Sequence, residues 1–167
     1  MGYIDLNLVK LTKISLLCFI FFTSSKLVFG EQNEIISLRS KHGSTDFIVE
    51  IAKTYEQRQK GLMGRNTLKA QNGMLFLYDS PRRVSFWMKD TNISLDVIFL
   101  SANGKILKIY HNAMPKSLEI MSAGDSVSAV LEINGNTAKT IQLSIGDCAE
   151  YEFFVNNYNN KSCNFLD

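Results

Sequence analysis

Two carboxylates, Asp96 and Glu132, stand in stretches whose other side chains are mostly apolar. Leu95, Val97 and Phe99 alternate along one face of a strand, which leaves Asp96 on the opposite face with Ile98 and Leu100. The same parity puts Glu132 on a face with Val130 and Ser128. An ionised carboxylate removed from water without a partner costs several kcal/mol, so Asp96 must find a cation, find amide donors or keep a proton. Trp87 and Lys89 share a face of a third alternating stretch. If these strands are neighbours, one wall collects Trp87, Lys89, Asp96 and Glu132. Arg58 and Arg65, on and just past a short helix, can each engage a carboxylate in bidentate fashion. Such a wall binds a small polar ligand; Trp beside charged groups suits a sugar or a carboxylated envelope component. The catalytic alternative is a hydrolase or transglycosylase using Asp96 and Glu132 as acid and base. The plain alternative is a set of ion pairs that hold a small barrel together and catalyse nothing.

Other chemistries lack their parts. The sequence has no Gly-x-Ser-x-Gly elbow, no phosphate-binding loop with Lys-Ser/Thr and no His-Glu-x-x-His. Its two histidines, His42 and His111, are far apart, so neither a nucleophile–His pair nor a His/Cys metal site is expected. No cofactor is implied.

The N-terminus resembles a secretory signal. Lys10 and Lys13 precede the apolar run Ile14 to Phe22, and Gly30 offers a small residue at a cut site. That run falls short of the roughly 20 residues a spanning helix needs, although a retained N-terminal anchor is the alternative. Export to the periplasm or medium follows, with no stable membrane span after cleavage. Removing Lys10, Lys13, Lys26 and Asp5 from 18 basic and 16 acidic residues leaves 15 of each. A formally neutral domain has no positive field to gather phosphates, which argues against nucleic acid as a partner. Export also leaves Cys148 and Cys163 as a pair in an oxidising compartment. Bonded, they close a loop of about 15 residues worth roughly 3 kcal/mol; the alternative is two free thiols and a loose tail.

Residues 31–45 are polar and read as a linker between the leader at 1–30 and one domain at 46–155, followed by a polar tail at 156–167. Phe47, Val49 and Ile51 alternate in a first strand. Thr54 with Gln57 forms a capping-box pattern for a short helix that ends at Gly61. Further strands are expected at Gly73 to Tyr78, Val84 to Lys89, Ser94 to Leu100, Lys105 to Tyr110, Ser126 to Ile133 and Cys148 to Val155. Asn103-Gly104 marks a hairpin, and 137–144 has room for one or two helical turns. Short strands at close spacing with little helix predict a mainly β, α+β fold, a small single-domain barrel or sandwich.

The blocks Gly61-Leu62-Met63-Gly64-Arg65, Gly73-Met74-Leu75-Phe76 and Phe86-Trp87-Met88-Lys89-Asp90-Thr91, then Leu95-Asp96, Val130-Leu131-Glu132 and Ile145-Gly146-Asp147, follow one another in an order that resembles the DUF192 family of bacteria and archaea. The resemblance spans roughly Phe47 to Val155. It implies a compact β-rich fold, often behind a signal peptide, and carries no biochemical activity with it. Asp90 stands where Asn is usual, Ser94 where Pro is usual, and Asn134-Gly135-Asn136 replaces an Ala-Gly pair. The expectation is therefore an exported binding or interaction domain rather than an enzyme.

Overall fold

The computed structural model describes residues 33–157 and Cys163; the stretch expected as a leader, and all of the tail beyond Asn157 except Cys163, lie outside them. The chain runs through β1 (Asn33–Ser40), β2 (Gly43–Ala52), α1 (Tyr55–Lys60), β3 (Asn72–Arg82), β4 (Leu95–Leu100), β5 (Ile106–Ala113), β6 (Val127–Asn134), α2 (Thr137–Thr140), β7 (Cys148–Glu150) and α3 (Glu152–Asn157). The strands form one seven-stranded sheet in the order β5-β4-β6-β3-β2-β1-β7. Every pairing is antiparallel except β2 with β3. The sheet curls into a half-barrel. Its ends meet where Lys105 bridges Cys148 and Ala149 N donates to Gly104 O at 2.8 Å.

The parallel β2–β3 pair requires a crossover, and α1 supplies it. Thr54 caps the helix as the sequence predicts: its hydroxyl accepts from Gln57 N, and the Gln57 side chain accepts from Thr54 N at 2.9 Å. Gly61 ends the helix at φ +47, and a Cβ there would press on the Phe76 ring. Leu62 then drops into the core. In the next block Gly73 lets β3 approach β6, because a Cβ would stand 2.6 Å from the Glu132 carbonyl oxygen.

The curled sheet is covered on both faces. Residues of all seven strands, among them Ile36, Val49, Leu75, Ile98, Ile106, Leu131 and Ala149, share the inner face with Ala138 of α2 and Phe154 of α3. The outer face of the central strands carries Phe76, Val97, Phe99 and Val130. It is covered by Leu62 and by Met88 and Met121 from two long connections. Double coverage explains why β3, β4 and β6 are buried over long continuous stretches.

Four expectations are corrected. The stretch expected as a linker at 31–45 contains β1 and the start of β2; Ile36 and Leu38 face the core while Ile35 is exposed. The short helix consequently follows the second strand. Val84 to Lys89 is a covering segment rather than a full strand, held by one bridge in which Phe86 and Met121 exchange backbone hydrogen bonds of 2.9 Å. The last strand stops at Glu150, and Glu152–Asn157 is helical. The aromatic, β-branched run there has strand propensity, but burying Phe154 on the inner face favours the helix.

Cys148 and Cys163 stand at disulfide bonding distance, Cα atoms 5.6 Å apart, and both are buried. The bridge fastens the tail beyond α3 to β7. Its 15-residue separation corresponds to about 3 kcal/mol of loop-closure stabilisation. Reduction, or Cys163→Ser, is expected to lower the unfolding free energy obtained from urea denaturation by that amount. Coincident melts with and without reductant would show that the staple contributes nothing.

Candidate functional site

Between α1, the end of β3 and the segment Ser85–Trp87 lies an open cleft of about 310 Å³. Glu132 is at its floor. β6 lies between β3 and β4, and Glu132 sits opposite Met74 on one side and Val97 on the other. These pairs aim its side chain at the outer face, beneath α1. Glu132 is 5% exposed. No described group hydrogen-bonds to its carboxyl or pairs with it, and burial alone pushes its pKa up to about 8. The group is therefore mostly protonated at neutral pH.

Tyr78 stands beside it on the same face of β3. Burial pushes its phenol up to about 12, with the Glu132 carboxyl adding to the shift and Arg58 opposing it. Two guanidinium groups lie over the Tyr78 ring: Arg58 at 5.1 Å from the centroid and Arg82 at 5.8 Å. Arg58 is fixed further by donating to Lys53 O and, at 3.0 Å, to Leu77 O. Among the described residues the Arg82 guanidinium hydrogen-bonds only at long range, to Ser80 at 3.4 and 3.5 Å, so its donors remain largely available. Trp87 lines the cleft and is 44% exposed, with Lys89 Nζ 5.3 Å from its ring centroid.

The six residues singled out from the sequence thus separate. Arg58, Trp87 and Glu132 line one cleft, and Lys89 touches it through Trp87. Arg65 lies elsewhere, in a two-pronged ion pair with Glu50 of β2. Asp96 is on the opposite face of the sheet, because it pairs with Ile133 while Glu132 pairs with Val97. Its carboxylate, fully buried, accepts from Asn112 N at 2.7 Å, Asn136 N at 3.0 Å and Ala138 N at 2.7 Å. Of the three ways to satisfy a buried acid, amide donors are the one used. Asp96 and Glu132 do not share a wall, so the catalytic alternative that used them as acid and base lacks its geometry.

Tyr78 and Arg82 are cleft residues that the sequence reasoning missed. The parity of β3 was the available signal, since Met74, Phe76 and Tyr78 alternate with Gly73, Leu75 and Leu77. Among the described residues, no group of three His, Cys, Asp or Glu side chains could hold a metal ion. Nor is any helix among them long and apolar enough to cross a membrane. His42 and His111 are exposed.

With this geometry in view, comparison with known proteins gives the family. The DUF192 family model, described as "Uncharacterized ACR", matches residues 36–151. The chain belongs to the DUF192 family. Two solved structures are similar to it. One, from Sinorhizobium meliloti 1021 and described as a candidate transcription regulator, is 36% identical with a TM-score of 0.71, over 74% of this chain and 96% of that one. The other, a protein of unknown function from Novosphingobium aromaticivorans DSM 12444, is 35% identical with a TM-score of 0.71, over 75% and 89%. No curated protein matches the chain. The DUF192 block Gly-Met-Leu-Phe now has a physical role: Gly73 admits the β6 backbone, and Phe76 floors the cleft.

Proposed function

We propose that this DUF192 protein is an exported, non-catalytic binding domain that takes a small polar ligand in the cleft over Glu132. The observation that carries the reading is Glu132 itself. A carboxyl held at the floor of an open cleft without a partner among the described residues costs stability, and a ligand's polar group would satisfy it. Trp87, Tyr78 and two arginines supply a platform and donors around it. An envelope-derived molecule is the ligand source that fits export. Export itself is supported by the leader pattern at 1–30 and by a cysteine pair at bonding distance. The description of the Sinorhizobium protein does not favour DNA binding here, because residues 31–167 are formally neutral.

The test is a screen of small polar fragments against the ¹⁵N-labelled domain. Amide shifts are expected to cluster at Arg58, Tyr78, Trp87 and Glu132, and to weaken at least tenfold in Glu132→Ala. Shifts scattered over the surface, or none, would leave a structural domain without this site.

A further inference from the structure

Within that reading of the cleft, the ligand's charge can be argued from the residues that face Glu132. Beneath and beside it are Met74 and Tyr78 of β3 and Val97 of β4; above it are Arg58 and Lys60 of α1; Arg82 closes the end of β3. The segment Ser85–Trp87 contributes Phe86 and Trp87, with Lys89 over the indole. Three cationic side chains, Arg58, Lys60 and Arg82, therefore line the cleft, and Glu132 is the acid among its described lining residues. We propose that the cleft selects a small carboxylate, whose oxygens take donors from Arg82 and Arg58 at the rim and one hydrogen bond from the Glu132 carboxyl at the floor.

A neutral Glu132 can donate that bond, and an ionised one cannot. An entering anion favours the protonated form further, since two carboxylates at contact distance hold one proton between them. An ammonium ligand would find the opposite: a floor acid that must first ionise, and three cations around the entrance. Arg58 and Arg82 already lie over the Tyr78 ring, which removes much of that aromatic surface from use by a ligand cation. The Tyr78 phenol is pushed up to about 12. Glu132, pushed up to about 8 by burial, ionises between pH 6 and pH 9, which removes the donor and adds a repelling charge.

The experiment compares glucuronate, glucose and choline, which are anionic, neutral and permanently cationic over this pH range. Trp87, the chain's single tryptophan, reports by fluorescence and the amide shifts locate the site. Glucuronate is expected to bind in preference to glucose and choline, and about tenfold more weakly at pH 9 than at pH 6. Glu132→Gln should flatten that pH dependence, and Arg82→Gln, an exposed change that leaves the core intact, should weaken glucuronate about tenfold. Equal binding of glucose and glucuronate at the cleft, or preference for choline with affinity rising with pH, would overturn the carboxylate assignment while leaving a ligand cleft in place. Silence from all three probes overturns the assignment as well; the fragment screen decides separately whether the cleft binds anything.

Discussion

Glu132→Gln is expected to make the domain more stable at neutral pH, by on the order of 3 kcal/mol at pH 7. The sign follows from the proton. In the unfolded chain the carboxyl ionises near its model value of 4.5, and in the folded domain only near 8. Between those values the folded state holds the proton that the unfolded state has released. The stability contributed by this group is thus fully present below about pH 4.5 and declines by about 1.4 kcal/mol per pH unit as pH rises towards 8. Glutamine has no proton to lose, so its profile lacks that decline. Urea denaturation of both proteins at several pH values gives the difference directly, because other titrating groups cancel. Parallel profiles would mean that Glu132 is solvated or partnered after all. A gain in stability joined to a loss of ligand binding is the pattern of a residue kept for function.

Asp96→Ala should act in the opposite direction, losing about 4 kcal/mol. The carboxylate gathers amide groups from the end of β5, from the turn after β6 and from the first turn of α2. Removing it leaves three donors without an acceptor, at roughly 1 to 3 kcal/mol each where water cannot reach them. Asp96→Asn keeps one acceptor oxygen and should lose about half as much, which preserves a measurable variant if the alanine form does not fold. A loss under about 1 kcal/mol would show that water replaces the carboxylate. Cleft ligands should bind Asp96→Asn as they bind the parent, since Asp96 faces the other side of the sheet.

These two residues show where sequence reading worked and where it stopped. Alternation placed Asp96 away from Leu95, Val97 and Phe99, and Glu132 with Val130, both correctly. The partner of each residue across the strands is not written in either strand, and a shift of one position exchanges the faces. Val97, not Asp96, lies opposite Glu132, so the expected wall divided into a cleft floor and a backbone clasp. Arg58 reached the cleft because a capping box fixed its helix locally, whereas Arg65 went to Glu50, a partner across the β2–β3 crossover that no local pattern marks. β1 was missed because its polar residues mask the alternation of Ile36 and Leu38. α3 was misread because packing of Phe154 overrides the local preference.

The position of β1 between β2 and β7 joins the earliest strand in the chain to the latest. A polypeptide that emerges N-terminus first cannot seal this edge until Cys148–Glu150 arrive, and such distant pairings form slowly. Until Cys148–Glu150 are synthesised, the outer edge of β1 has no β7 to pair with, and the half-barrel cannot shut.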